Sequence, residues 1–272
     1  MIKVNGLHKI KNYKKVTKDH CPSFSGIVAG ECKGNLWVDD FENPNIALAD
    51  SYAVGSFAFL GDIQSDQEYK KLKEFINFEL FPMLKAKGSN YFEFTIEDDD
   101  LRNPILKMFG DREIQKEKEF SFRKNDSMPK APGLPEGYTI HKVDDKLWKL
   151  INGGNIENGE FLTRRIMESW ESFDDFYKKS LAFCITHSNK IISVIAGTAR
   201  FNNNIPIDIE TDELHRKKGL GLILTQQFVN ECVRRGITAQ WDCVESNPIS
   251  KKLAEKAGFK FIKQNEVYWF DI

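Results

Sequence analysis

The stretch "HRKKGLGLI" (His215–Ile223) gathers three basic side chains and two glycines just before an apolar segment. A helix start leaves backbone N–H groups without partners, and the helix dipole places partial positive charge there. Glycines let a phosphate reach that backbone without interference from a Cβ. Arg216, Lys217 and Lys218 add charge at the same point. The stretch is therefore suited to a pyrophosphate. It is not the mononucleotide loop, which needs G-x-x-x-x-G-K-[ST]. Nor is it the dinucleotide fingerprint, which needs a third glycine and an acidic residue further on. What remains is R-x-x-G-x-G between a strand and a long helix.

Working outward, "IPIDIET" (205–211) reads as the strand before the loop. Leu222, Leu224, Phe228, Val229, Cys232 and Val233 after it recur near a 3.6-residue period, which predicts a helix up to Gly236. "ITAQWDCV" (237–244) is a strand. Asn247 is placed to cap a helix running through Ala257, with Pro248 at its first position and Gly258 at its end. "FKFIKQNEVYWFDI" (259–272) supplies one or two closing strands. Upstream, "YTIHKV", "LAFCITH" and "KIISVIAGTARF" are strands, the last two joined by a tight Ser188–Asn189 turn. "DDKLWKLI", "GEFLTRRIMESW" and "SFDDFYKKS" are helices.

"RKNDSMPKAPGLPEGY" (123–138) holds Pro129, Pro132, Pro135, Gly133 and Gly137 and continues neither helix nor central strand. It divides the chain into an N-terminal domain (1–125), a linker (126–137) and a C-terminal domain (138–272). The first half follows a fainter version of the same plan. "GIVAGECKGNLWVDD", "NIALADSYA", "SFAFLGD" and "NYFEFTIED" read as strands, and Asp66–Lys87 as a long amphipathic helix. Asn-Pro-Ile follows the last strand at Asn103–Ile105 and again at Asn247–Ile249, each time before a helix, a glycine and closing strands. Together with the shared order of elements, this points to an ancient duplication.

Composition sets the outer bounds. The 272 residues suffice for two domains, and 41% hydrophobic with 29% charged residues fits globular cores. The 39 basic and 40 acidic side chains leave a formal net charge of −1, so no global field draws nucleic acid or an anionic membrane. Local basic clusters such as Lys14–Lys15 and Lys70–Lys73 read as solvated faces. Five cysteines, Cys21, Cys32, Cys184, Cys232 and Cys243, are odd in number and form no C-x-x-C pair. They argue against a disulfide framework or a zinc site and for a reducing compartment. The N-terminal "MIKVNGLHKIKNYKK" has no apolar signal segment, and no stretch is long and apolar enough to span a membrane. A cytoplasmic location is expected.

The stretch Arg216-Lys217-Lys218-Gly219-Leu220-Gly221, in its strand–helix setting, resembles the acyl-CoA pyrophosphate loop of the GNAT acetyltransferase superfamily. "NPISKKLAEKAGF" resembles that superfamily's Asn-led last helix ending in Gly-Phe, and the order of elements matches over about Tyr138–Ile272. "IETDELHRKKGLG" and "GITAQWDCVESNPISKKLAEKAGF" are most similar to the branch containing zwittermicin-resistance-type acetyltransferases. The resemblance implies an α/β fold, in the α+β sense: a mixed, mostly antiparallel sheet flanked by helices. It further implies a tandem in which a degenerate N-terminal copy precedes a complete C-terminal one. The first half has "GDIQSDQ" (61–67) where the loop would lie, with no basic residue and no Gly-x-Gly. Only the C-terminal half is expected to bind coenzyme A.

On that resemblance acetyl-CoA is the donor and a small primary amine the acceptor, joined by direct attack in a ternary complex. The loop, Arg216, Lys217, Lys218, Gly219, Leu220, Gly221 and Leu222, would hold the pyrophosphate. Backbone near Ile209 and Thr211 would hold the pantetheine arm, and Asn247 and Ser250 could bond the same arm. Such chemistry needs a group that takes the amine proton and donors for the tetrahedral oxyanion. Asp208 and Glu210 share one strand face. Either could act as base, directly or through water, and Glu210 is favoured as nearer the expected gap. The competing reading makes both ordinary polar strand residues. Relatives that carry a glutamate earlier on this strand have it where this chain has Pro206, and their last-helix tyrosine aligns with Ala254. Tyr268 and Cys243 remain as proton-bearing substitutes, with core packing the alternative for each. Trp241 and Asp242 face opposite sides of their strand, so one of them could line the acceptor pocket. Core packing is the competing reading for Trp241. Arg164 and Arg165 lie on a helix that borders this pocket in the superfamily, among acidic residues read mostly as a solvated face. No metal is expected, and the oligomeric state stays open, a homodimer included. Two other readings remain: a non-catalytic acyl-CoA sensor or scaffold, and an aminoacyl-tRNA-dependent transferase, which the near-neutral charge disfavours.

Overall fold

The computed structural model describes residues 1–5, 10–129 and 131–272; positions 6–9 of the N-terminal stretch and Lys130 of the expected linker lie outside them. In chain order the elements are β1 (Ile2–Lys3), α1 (Pro22–Val28), β2 (Asn35–Val38), β3 (Ile46–Ser51), β4 (Ser56–Gly61), α2 (Asp66–Phe75), α3 (Phe81–Ala86), β5 (Tyr91–Ile96), α4 (Asp99–Met108) and β6 (Gln115–Lys124). There follow β7 (Tyr138–Lys142), α5 (Asp145–Asn152), α6 (Glu160–Ser169), α7 (Phe173–Lys179), β8 (Ala182–His187), β9 (Lys190–Gly197) and β10 (Asn204–Thr211). Then come α8 (Leu220–Arg234), β11 (Thr238–Val244), α9 (Pro248–Lys256) and β12 (Lys260–Asp271). They form two compact units. Unit 1 holds Met1–Glu119, Val244–Ser246 and Gln264–Ile272; unit 2 holds Phe120–Cys243 and Asn247–Lys263. The units are thus not the two halves of the chain, since most of the closing strand clusters with unit 1.

In unit 1 the strand order is β1-β2-β3-β4-β5-β12. Neighbours are antiparallel except β4 and β5, which run parallel from Phe57↔Phe94 to Phe59↔Ile96. Parallel neighbours need a crossover, and α2 and α3 provide it. The core combines aliphatic side chains with a cluster of aromatic rings, among them Phe59 against Phe94 at 5.5 Å and Phe109 against Phe270 at 4.9 Å.

In unit 2 the order is β6-β11-β10-β9-β8-β7. The same succession recurs: β9 and β10 are antiparallel, α8 crosses over, β10 and β11 are parallel, and a helix follows. Ser188 and Asn189 sit at φ 47° and 63°, the twist a two-residue hairpin turn requires. The mixed, mostly antiparallel sheet with flanking helices agrees with the expectation from sequence, as does the repeated plan.

Four local expectations need correction. Gly26–Val28, read as strand, closes helix α1, which Pro22 opens at its first turn. The long helix over 66–87 is interrupted by a π-helical turn at Ile76–Leu80. Pro82 has no N–H to offer the preceding turn, and the wider turn absorbs that loss. Asn103-Pro104 does not mirror Asn247-Pro248, because α4 begins earlier at Asp99 and carries Pro104 inside it. Finally, the described residues of the segment expected as a linker pack on unit 2 rather than standing apart from it. Met128 is buried, Ala131 and Leu134 pack on the unit 2 core, and Asn230 and Gln226 of α8 bond Met128 N and Pro129 O.

Candidate active site

The residues expected to form the phosphate loop make the junction between β10 and α8. After Thr211 the chain makes a short 3-10 turn, Glu213–His215, capped by Asp212. Lys217 and Gly219 both take left-handed backbone, at φ 63° and 79°. Gly219 is the N-cap of α8, makes no side-chain cap bond, and no acidic residue lies in the first turn. A Cβ at Gly219 would meet only Pro132 Cγ, at 4.0 Å, so conformation rather than space demands glycine there. Gly221 has the opposite reason. Its Cβ would lie 3.2 Å from Leu253, tighter than ordinary contact, and 3.8 Å from Ile209, so the missing side chain eases the approach of α8 to α9. Arg216, Lys217, Lys218 and Gly219 are exposed, Gly221 and Leu222 half-buried, and Leu220 is anchored in the core. Arg216 is not a free charge, for it donates to Thr211 O and to Glu213, bracing the loop against the end of β10.

Unit 1 supplies the contrast at its own crossover helix. Ser65 caps α2 by accepting from Glu68 N, and Glu68 returns its carboxylate to Gln64 N and Asn45 Nδ2. Asp66 adds a second negative charge to that first turn. The N–H groups of Gln64 and Glu68 are met internally, and two carboxylates repel an anion there. The start of α8 offers the reverse on both counts.

β10 and β11 stay in register only from Asn204↔Thr238 to Pro206↔Gln240, although β10 continues to Thr211 and β11 to Val244. Beyond Pro206, β10 pairs only with β9 among the described residues. One side of the backbone at Ile209–Thr211 thus faces a gap between diverging strands. Pro206 accepts from Thr198 N but has no N–H to return.

Alternation along β10 sends Ile205, Ile207 and Ile209 to the α8 side, where they pack on the core. Asp208 and Glu210 face the other way, towards α6. There both meet Arg165, whose Nε donates to Asp208 Oδ2 at 2.7 Å and whose Nη2 donates to Glu210 Oε2. Nη1 donates to Phe161 O, and the guanidinium carbon lies 4.8 Å from the Phe161 ring centroid. The Arg165 side chain is 7% exposed and the two carboxylates 42% and 44%. Sequence reasoning named Arg164 and Arg165 without separating them. The spacing that could have done so is Leu162, Arg165, Ile166 and Ser169, the buried stripe of α6.

The remaining candidates scatter. Asn247 caps α9, its Oδ1 accepting from Ser250 N at 3.1 Å. Ser250 Oγ accepts from Trp241 Nε1 at 2.9 Å. Trp241 is 2% exposed and edge-on to Phe259 at 5.4 Å, so it belongs to the core rather than to a pocket wall. Asp242 is half-buried and accepts from Gln240 Nε2, while Gln240 Oε1 accepts from Arg123 Nε. Ala254 is fully buried and Cys243 is core. Tyr268 lies in the unit 1 ring cluster, where burial and Glu266 push its phenol above the ordinary range. All five cysteines are buried. Among the described residues no group of three or more His, Cys, Asp or Glu side chains is placed to hold a metal. Nor is any helix among them long and apolar enough to cross a membrane.

Residues 14–268 match the family described as GNAT acetyltransferase. Over 252 residues the chain is 27% identical to a protein of Bacillus subtilis (strain 168) named "Uncharacterized N-acetyltransferase YdfB", covering 92% of this chain and 91% of that one. Among solved structures, a GCN5-related N-acetyltransferase-like protein from Streptococcus suis 89/1591 has a TM-score of 0.59 at 22% identity, covering 87% of this chain and 88% of that one. A tandem GNAT protein from the clavulanic acid biosynthesis pathway has a TM-score of 0.55 at 10% identity, covering 89% and 83%. At such identities the two structures share a fold with this chain, and nothing finer is carried over.

Proposed function

We propose that this chain, which belongs to the GNAT acetyltransferase family, moves the acetyl group of acetyl-CoA onto the primary amine of a small molecule. Family membership implies acyl transfer from an acyl-CoA to an amine. The observation that carries the finer reading is the start of α8: no side-chain cap, no first-turn acid, left-handed Gly219, and Lys217 and Lys218 exposed beside it. The counterpart helix start in unit 1 is self-capped and acidic, which supports a single cofactor site, in unit 2.

The residues fit coenzyme A. N–H groups of Gly219, Leu220, Gly221 and Leu222 would donate to the pyrophosphate, with Lys217 and Lys218 adding charge and Arg216 bracing the loop. Backbone at Ile209 and Thr211, in the gap between β10 and β11, would hold the pantetheine arm. Asn247 and Ser250 already have internal partners, so they enter this reading as the framework of α9. When bound, acetyl-CoA supplies an acetyl group activated as a thioester. Glu210 takes the amine proton, directly or through water, and Asp208 beside it adds negative charge that favours a cationic acceptor. Asp242 contributes a further carboxylate on β11. Arg165 orients both β10 carboxylates. With every thiol buried, no cysteine is offered as an acyl carrier, which favours direct attack by the amine. The acceptor class that the sequence resemblance suggests is an aminopolyol-type amine, met in the cytoplasm.

The test is a melting experiment with acetyl-CoA, using Gly219→Trp as control. A ligand at about 100 times its Kd adds about 2.7 kcal/mol to the native state, a rise of roughly 5–10 °C for a chain of this size. The rise should vanish in the Gly219 variant, whose unliganded melting is measured alongside. Amines are then screened by release of free coenzyme A thiol. No shift at saturating acetyl-CoA would sink the proposal.

A further inference from the structure

Four side chains from β7, β8 and the phosphate loop converge beside the start of α8. Lys218 Nζ donates to Tyr138 Oη at 2.6 Å and lies 5.3 Å from the ring centroid. Tyr138 Oη lies 2.8 Å from His215 Nδ1. The His187 ring stands 4.6 Å from Tyr138 and 5.2 Å from His215. None of the four is fully buried, and Lys218 is exposed.

The donors in this chain can be assigned. An ammonium only donates, so Tyr138 Oη accepts from Lys218 and donates a hydrogen bond to His215 Nδ1. That nitrogen must then be unprotonated, which puts the ring proton of His215 on Nε2; the tautomer follows from the network. Burial and then Lys218 lower the His215 pKa, His187 and Lys190 lower it further, and Asp212 opposes them, so the neutral ring is the form present at neutral pH. Each bond polarises the next, so the Lys218 charge strengthens the Nε2–H donor at the far end. The His215 ring makes no other hydrogen bond among the described residues, while its backbone N–H donates to Asp212 O. The nearby carboxylates are engaged elsewhere, Glu213 with Arg216 and Asp212 with Leu214 N and Lys190. Lys218 makes no ion pair among the described residues, so its charge faces this cluster uncompensated.

We propose that Tyr138, His187, His215 and Lys218 form a subsite for the 3′-phosphate of the coenzyme A moiety. This rests on the reading of the α8 start as the pyrophosphate site. The loop N–H groups and this cluster lie one lysine side chain apart. In coenzyme A the pyrophosphate and the 3′-phosphate are separated by one ribose. The phosphate monoester takes its bonds from Lys218 and from the N–H groups of the two imidazoles, with Tyr138 holding Lys218 and His215 in place.

The experiment compares the affinities of acetyl-CoA and 3′-dephospho-acetyl-CoA by calorimetry at neutral pH. It uses the wild type and the variants Tyr138→Phe, His187→Gln and His215→Gln. The wild type should prefer acetyl-CoA by at least about tenfold, the worth of one charge-assisted bond. The preference should fall to within about threefold in Tyr138→Phe and His215→Gln, with affinity for the dephospho form unchanged. Equal affinities in the wild type would overturn the subsite and leave the pyrophosphate reading standing. A preference that survives in all three variants would place the 3′-phosphate elsewhere. If neither compound binds, the loop reading falls and the subsite with it. The wild-type ratio decides even if a variant folds poorly.

Discussion

Arg165 is a buried cation serving two half-exposed anions, and that asymmetry can be measured. Replacing it by methionine keeps the apolar stem and removes three bonds, to Asp208, Glu210 and Phe161 O. The carboxylates, at 42% and 44% exposed, regain water when the guanidinium goes. Their pairs are therefore worth close to the exposed-pair value of about 0.2–1 kcal/mol each, and the desolvation cost of the arginine is returned. The expected loss is about 1–2 kcal/mol, a fall in Tm of roughly 2–8 °C. The reverse experiment, Asp208→Ala with Glu210→Ala, strands a guanidinium that is 7% exposed with only Phe161 O as acceptor. Leaving a buried charge unpaired costs about 3–5 kcal/mol. Urea denaturation followed by circular dichroism should rank the double variant well below Arg165→Met. If Arg165→Met costs as much as the double variant, the guanidinium is not the buried partner of the pair, and its role as the fixed point for Asp208 and Glu210 fails.

The remaining predictions concern the framework of unit 2. A Cβ at Gly197 would lie 2.4 Å from both Ile205 Cγ2 and Ser180 Oγ, so Gly197→Ala should cost about 3 kcal/mol by overpacking. Gly221→Ala, whose one tight contact is the end of Leu253 at 3.2 Å, should cost clearly less in the same urea titration; equal losses would refute the distinction. Ser250→Ala leaves the buried Trp241 N–H without its acceptor and should cost about 1–3 kcal/mol. Adding it to Trp241→Phe should then cost little more, and additive losses would argue against the bond. Arg234, then Lys142 and Arg235, hold the Glu231 carboxyl well below the usual carboxylate range. A depressed carboxyl stabilises the fold above its unfolded-state pKa and loses that contribution as pH falls below it. The deficit of Glu231→Gln relative to wild type should therefore be full at pH 7 and shrink below about pH 4.5, the ordinary glutamate region. A deficit that grows on acidification would reverse the sign.

Much of the fold was legible because it is written in local patterns. The amphipathic period after Gly221 marked α8, Asn247-Pro248 marked the start of α9, and Ser188–Asn189 marked the hairpin. The elements that escaped are those in which a local signal was outweighed. Gly26–Val28 carry strand-like side chains but end a helix that Pro22 began. The proline-rich 126–137 segment reads as a spacer until Met128 and Leu134 are seen on the unit 2 core. Trp241 could be read as pocket or core, and only its contacts with Ser250 and Phe259 decided for core.

By itself the sequence marked a loop suited to a phosphate, because that pattern depends on consecutive residues: two glycines, three basic side chains and a helix start. It also determined that Asp208 and Glu210 share a face, because strand alternation is local. It could not show that both carboxylates close on one arginine 43 and 45 residues away. Nor could it show that Lys218 reaches across 80 residues to Tyr138. Those pairings depend on how α6 and β7 pack against β10 and the loop, and no periodicity within a single segment encodes them. The sequence also left the last strand with its own half, whereas most of β12 lies in unit 1, where its backbone pairs with β5 and its aromatic rings complete the phenylalanine core. A strand's hydrogen-bonding edge carries no address in its own residues, so its neighbour is chosen by the tertiary structure.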